Sequence, residues 1–134
     1  MPTPRAESAA IRSANDIVAV RQLVRSRAIE AGFSLVDQTK IVTAASELAR
    51  NTLDYGGGGT VRLELLEEFG RRGLRLTFED QGPGIADIEL ALRDGYSTGS
   101  GMGLGLSGSR RLVNEFHIES TPGVGTRVVI ARWK

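Results

Sequence analysis

Four short stretches of this sequence carry residues whose types and spacing suit chemistry. The first is Glu47 with Asn51, four residues apart. On a helix that spacing puts both side chains on one stripe, bordering the apolar one through Ala44 and Leu48. A carboxylate can take a proton from a hydroxyl or from water, and an amide oxygen is a hard ligand suited to Mg²⁺. Taken alone, the pair is more simply a solvated Glu and a polar Asn near a helix C-terminus. The second stretch is Asp80-Gln81-Gly82-Pro83-Gly84. Asp80 shares its strand parity with Leu74, Leu76 and Phe78, so it points to the buried side where the strand ends. A buried acid needs a hydrogen-bonding partner, and an exocyclic amino group such as that of adenine would serve. Gly82 and Gly84 let the backbone turn tightly against a flat ligand. The plain alternative is a turn with a local Asx hydrogen bond.

The third stretch, Gly99-Ser100-Gly101-Met102-Gly103-Leu104-Gly105-Leu106, alternates glycines at a helix start. Freed backbone N–H groups and the helix dipole favour phosphate there, although flexible loops look the same. It is not a P-loop, because no Gly-Lys-Ser/Thr follows and the chain's two lysines are Lys40 and Lys134. No βαβ unit surrounds it, so it is not a dinucleotide fingerprint, and protein-kinase signatures are missing. The fourth stretch is Gly123-Val124-Gly125-Thr126, either a hairpin turn or the start of an inner strand that sets the Thr126 hydroxyl beside Asp80.

Elements able to hold these residues follow from periodicity. Residues 1–6 read as a loose tail and Glu7–Ser13 as a short edge strand. Asn15 or Asp16 caps a helix whose core stripe is Ile17, Val20, Val24, Ala28 and Ala31, ended by Gly32. Ser34 and Asp37 open a second helix with Ile41, Ala45, Leu48 and Thr52 inward, stopped by Gly56–Gly59. Val61, Leu63 and Leu65, then Leu74, Leu76 and Phe78, alternate with period two around a turn at Gly70-Arg71-Arg72-Gly73. Asp87–Arg93 is a short helix at most, and Gly103 or Leu104 to Phe116 a third main helix. Strands at His117–Thr121 and Thr126–Trp133 close the chain. The expected fold is α+β, a two-layer sandwich with helices on one face of a mixed, mainly antiparallel sheet, in one domain over 1–134.

Composition narrows the classes. With no cysteine there is no disulfide, thiol nucleophile or Cys-type zinc site, and the single His117 leaves no histidine metal cluster. The formal net charge of +1 gives no general pull toward nucleic acid or membrane. No apolar run approaches the ~18 residues of a bilayer span, and the N-terminus lacks the apolar stretch of a signal peptide; a cytoplasmic location is expected. Glycine is in excess at 17 of 134 residues, against an average of about 7%. Eight glycines fall between Gly82 and Gly108, which directs attention to that segment.

Taken in order, the four stretches resemble the Bergerat-fold ATPases, the superfamily of gyrase, heat-shock chaperone, histidine kinase and MutL nucleotide-binding domains. The resemblance covers nearly the whole chain. Ser46-Glu47-Leu48-Ala49-Arg50-Asn51, Glu79 to Ile85, Asp94-Gly95-Tyr96-Ser97-Thr98 and Phe116-His117-Ile118-Glu119-Ser120 are most similar to the small serine/threonine switch kinases of bacterial stress-response partner switching. Anti-sigma factors look like more distant relatives.

The resemblance implies roles. Glu47 would be the base toward the attacking hydroxyl, and Asn51 would hold Mg²⁺. Asp80 would read the adenine amino group, with Gly82 and Gly84 shaping the pocket and Thr126 supporting the base. Gly101, Gly103 and Gly105 would wrap the phosphates of ATP, behind a short lid between Ala91 and Ser100. Anti-sigma relatives carry a basic residue where this chain has Gly99, so backbone donors, Mg²⁺ or Arg110 would have to compensate. The implied activity is ATP-dependent serine/threonine phosphorylation of STAS-domain antagonist proteins in a stressosome-like, sigma-regulating pathway, with binding and activation of a serine phosphatase as a second role. Arg50 and Tyr96 are candidates for that docking, and the chain would be a monomer or weak homodimer. Two alternatives stay open: an anti-sigma factor that sequesters a sigma factor in a nucleotide-dependent way, and an activator with a vestigial nucleotide site.

Overall fold

Alternating apolar residues on four strands fix which way the sheet faces. In the computed structural model, which describes residues 6–85, 88, 92 and 106–134, strands β1 (Ala6–Ile11), β2 (Gly59–Glu68), β3 (Arg71–Asp80), β4 (Glu115–Thr121) and β5 (Gly125–Trp133) form one sheet in the order β1-β2-β3-β5-β4. Every ladder among the described residues is antiparallel. Register lines up the inward rows: Val61 opposes Phe78, Phe78 opposes Val128, and Val128 opposes Ile118. The opposite face carries charged pairs, the half-buried Arg75–Glu64 at 3.8 Å and the exposed Arg127–Glu79 at 3.3 Å.

Helices α1 (Ala14–Glu30) and α2 (Leu35–Asp54) cover the inward face. α1 buries Ile17, Val20, Val24 and Ala28, and α2 buries Ile41, Ala45, Leu48 and Thr52, the stripes their 3.6-residue period predicts. Full burial of one such aliphatic side chain contributes about 1.5–3 kcal/mol, so these stripes hold the helices to the sheet. The short α3 (Leu106–Arg111) packs against α2. The two-layer expectation therefore holds.

Several boundaries differ from the sequence reading, each for a local reason. The cap of α1 is Ser13 rather than Asn15 or Asp16. Its hydroxyl accepts from the Asp16 amide at 3.3 Å, while the Asp16 carboxylate accepts from the Arg12 amide at 2.8 Å, a reciprocal capping arrangement. Ser34 caps α2 as expected. The edge strand spans Ala6–Ile11 and takes in one residue assigned to the tail. The β2–β3 turn is Phe69-Gly70, not Gly70–Gly73: both residues have positive φ, 51° and 76°, which a two-residue hairpin of matching twist requires. Gly73 instead lies within β3, where an added Cβ would stand 2.8 Å from the Trp133 ring.

The third helix ends at Arg111, well short of Phe116. Asn114 breaks it by joining the sheet: its amide donates to Ala131 O at 2.9 Å and its side-chain oxygen accepts from the Trp133 amide at 2.7 Å. β4 consequently starts at Glu115, two residues earlier than expected. The proposed helix at Asp87–Arg93, the start of the third helix at Gly103 or Leu104, and residues 1–5 lie outside the described residues apart from Ile88 and Leu92.

One ion pair anchors the start of α2 to the sheet. Arg132 of β5 reaches the inward side, donating to the Asp37 carboxylate at 2.6 Å and to Leu112 O at 2.8 Å. The hydrogen bond from Arg132 holds the Asp37 carboxyl below its ordinary range. A depressed carboxyl stabilises the fold above its unfolded pKa, and that contribution disappears as pH falls through the folded value. Asp37→Asn should therefore lower stability by about 1–2 kcal/mol at neutral pH, with the difference from the parent shrinking as pH falls below 3.8 and vanishing once pH passes the lower folded value. Urea unfolding at a series of pH values measures this; a pH-independent difference would contradict it.

Candidate functional site

Strand β3 ends at the centre of the sheet, and the site is built on that end. Asp80 pairs with Gly59 on one side and with Thr126 on the other. Its half-buried side chain faces α2, as its parity with Phe78 predicts. Oδ1 accepts from the Gly82 amide at 2.9 Å. Burial pushes the Asp80 carboxyl above its ordinary range, although the backbone amides of Gly82 and Thr126 pull the other way. The carboxylate is thus short of partners once ionised, a state that a ligand N–H would relieve.

Asp80 does not stand alone. Asn51 and Thr52 from α2, Ile85 beyond the strand end, Leu106 of α3, Ile118 of β4, and Thr126 and Val128 of β5 line one cleft with it. Its floor is apolar and its polar groups are few, the usual make-up of a small-molecule site. The enclosed space is about 20 Å³, room for about one water. Asp80 also borders two more open hollows, one of about 210 Å³ with Ser120 and Thr126 and one of about 490 Å³ with Gly57 to Gly59. Another hollow of about 360 Å³ lies elsewhere, between Glu30, Ala31, Leu65 to Glu67, Arg72 and Gly73, with none of the expected site residues on its wall.

Of the residues named from the sequence, Asn51, Asp80 and Thr126 converge on the cleft. Glu47 is half-buried on α2, one turn before Asn51, and is not part of the cleft wall. Gly84 has φ +77°, and an added Cβ would meet Thr121 O at 2.4 Å, so only glycine lets this loop lie against the β4–β5 turn. Gly82 approaches Gly56 so closely that a Cβ would stand 2.7 Å from its Cα. Gly101, Gly103 and Gly105, together with Tyr96, Gly99 and the lid between Ala91 and Ser100, lie outside the described residues. Arg50 on α2 and Arg110 on α3 are exposed.

Two residues that sequence reasoning passed over tie the site together. Ser120 of β4 accepts from the Ile85 amide at 2.7 Å, reaches Gly125 O at 3.1 Å, and sits 2.9 Å from the Thr126 hydroxyl. Its signal was parity: Ser120 shares the inward row of Phe116 and Ile118 and opposes Thr126. Tyr55, the C-cap of α2, donates its hydroxyl to Gly84 O at 3.1 Å. No periodic pattern announces that contact, because it spans a turn and a loop.

This geometry belongs to a known class. Residues 36–134 match the histidine kinase-, DNA gyrase B- and HSP90-like ATPases, and the chain belongs to that family. It is 49% identical to the serine/threonine-protein kinase RsbT of Bacillus subtilis (strain 168) over 118 residues, 88% of this chain and 89% of that protein. It is 29% identical to an anti-sigma F factor of Thermoanaerobacter sp. (strain X514), covering 84% of this chain and 82% of that one. Among solved structures, the RsbU and RsbW domains of Rv1364c from Mycobacterium tuberculosis align with a TM-score of 0.69 at 22% identity, over 99% of this chain. The chain spans about a third of that longer protein, 34%. The catalytic domain of histidine kinase ThkA aligns with a TM-score of 0.54 at 18% identity, covering 96% of this chain and 98% of that domain. These two likenesses establish the fold.

Because Ser120 satisfies the Ile85 amide in the cleft wall, Ser120→Ala should destabilise the protein by about 1–2 kcal/mol, the cost of an unpaired buried N–H. Chemical denaturation reads the effect, and amide exchange at Ile85 should rise with it. An unchanged midpoint and unchanged Ile85 protection would show that the hydroxyl carries no such load.

Proposed function

We propose that this chain is an ATP-dependent serine/threonine protein kinase that phosphorylates a STAS-domain antagonist in a partner-switching, sigma-regulating stress pathway, and that it also docks on a serine phosphatase. The observation that carries the reading is the convergence of Asn51, Asp80 and Thr126, from three separate elements, on one cleft. Its 49% identity to a serine/threonine-protein kinase supports the choice among the family's activities.

In this reading Asp80 accepts the adenine amino group, with Oδ1 already fixed by Gly82. The backbone amides of Gly101, Gly103 and Gly105 receive the phosphates. Glu47, beside the cleft rather than in it, takes the proton of the incoming serine or threonine hydroxyl. That oxygen forms a bond to the γ-phosphorus as the bond to the bridging oxygen breaks, and ADP leaves. Asn51 offers a hard amide oxygen, and among the described residues no group of three or more His, Cys, Asp or Glu could hold a metal. A hard amide oxygen beside a triphosphate would suit Mg²⁺, with phosphate and water filling the rest of its shell. The ion would supply charge neutralisation along the triphosphate. With glycine at position 99, Arg110 on α3 is the nearest cation in sequence to the phosphate loop. No helix among the described residues is long and apolar enough to cross a membrane.

The 29% identity to anti-sigma F factors favours a second reading, nucleotide-dependent sequestration of a sigma factor. Co-purification separates them: a sigma factor in the eluate supports sequestration, whereas STAS and phosphatase partners support the switch kinase. Labelled ATP incubated with a cognate STAS protein should transfer label to serine or threonine, and failure at every Mg²⁺ concentration would sink the kinase reading. Glu47→Ala should bind ATP and lose transfer; retained transfer removes it as the base.

Asp80→Asn should weaken ATP binding 10- to 100-fold, about 1–3 kcal/mol. With the amide oxygen held by Gly82, the Asn NH₂ would face the adenine NH₂, donor against donor. A folded-state carboxyl raised by burial disfavours the ionised form, and that penalty grows as pH rises through 3.8. Asp80→Asn should therefore melt no lower than the parent at neutral pH. Parental affinity measured by calorimetry would refute the base-pocket assignment.

A further inference from the structure

The run Gly56–Gly59 has no role in the sequence reading beyond ending α2, yet its first residue lies against the site. Gly56 follows the C-cap Tyr55, and its amide donates to Asn51 O at 3.1 Å. A Cβ built on Gly56 would stand 2.4 Å from Asp80 Cγ, 2.5 Å from its Cβ and 2.7 Å from Oδ2. No side chain tolerates separations below about 3 Å from carbon. The atoms in the way are the base of a short side chain, which cannot swing clear without leaving its rotamer. Gly82 closes the contact from the other side, with its virtual Cβ 2.7 Å from Gly56 Cα and 3.1 Å from Asp80 Oδ1. Unlike Gly57 and Gly58, with φ of 76° and 105°, Gly56 is not among the residues of positive φ. Glycine is required at position 56 for space, not for conformation.

We infer that Gly56 is a positioning residue: its bare backbone forms the wall that sets the direction of the Asp80 carboxylate, and so sets the preference for adenine over other bases. This rests on the assignment of Asp80 as the adenine acceptor. Tyr55 reinforces the arrangement, because its bond to Gly84 O fixes the end of α2 against the loop that follows Asp80. The base acceptor is thereby held between the backbone of two glycines from different elements.

The test compares Gly56→Ala with Gly57→Ala by calorimetry with ATP and with GTP. Gly57 has nothing within 4 Å of a virtual Cβ but has positive φ, so Gly57→Ala should lower the melting temperature and leave both affinities unchanged. Gly56→Ala should bind ATP at least tenfold more weakly and lose much of the ATP-over-GTP ratio. In its nucleotide-free form the Asp80 carboxyl, followed by ¹³C NMR, should titrate at a different pH from the parent, a readout that general loosening elsewhere would not move. Parental ATP affinity and ratio in Gly56→Ala, with affinity lost in Asp80→Asn, would overturn the role of Gly56 and leave the pocket assignment standing. Parental affinity in Asp80→Asn would overturn the pocket assignment and this inference with it. Should Gly56→Ala fail to fold, Gly82→Ala presses on the same contact. The same loss of ratio there supports the inference, and an unchanged ratio refutes it.

Discussion

The site depends on a carboxylate placed at the end of the central strand. Asp80 can be half-buried because β2 and β5 flank β3 and complete its backbone hydrogen bonding. It stays ionisable because the turn after it returns an amide to Oδ1. Neighbouring parts are arranged around this one charge. The helix that bears Glu47 and Asn51 ends on it, the Gly82–Gly84 loop wraps it, and β4 and β5 supply the hydroxyls of Ser120 and Thr126 beside it. An acid in such a place costs free energy until something donates to it. The same burial that lifts its pKa makes a missing or misplaced donor expensive.

Much of this is legible in the sequence, where physics leaves a periodic trace. Leu74, Leu76, Phe78 and Asp80 form a row on one face of a strand, and strand parity alone is enough to orient the acid toward the core. The helical stripe Ile41, Ala45, Leu48 and Thr52 likewise puts Asn51 at the edge of the core. Asp-x-Gly-x-Gly and Gly-Thr are patterns in which spacing and backbone freedom determine the chemistry, and both reach the same cleft.

Illegible parts are those set by contacts between distant segments. Leu112, Val113 and Phe116 suit a helix as well as a strand, and it is the pairing of Asn114 with Ala131 and Trp133 that decides for the strand. The two-residue turn at Phe69-Gly70 is hidden because Phe is an unusual occupant of positive φ, whereas Gly70 and Gly73 look like the more ordinary turn residues. Gly56 is concealed in another way. A glycine at the end of a helix is normally a stop signal, and nothing in one dimension reveals that a carboxylate twenty-four residues later occupies the volume where its side chain would be.

The narrowness of the cleft ties two properties that are usually treated apart. Leu106, Val128 and Phe78 belong to the hydrophobic core, Ile118 packs against it, and all four are walls of the cleft. The gap between them is about 20 Å³, so a ligand that reached this deep end would compete with the protein's own packing. A larger side chain that filled the gap would make a more cohesive interior and a poorer receptor. A ligand received at this end would therefore trade some tightness of the interior for access.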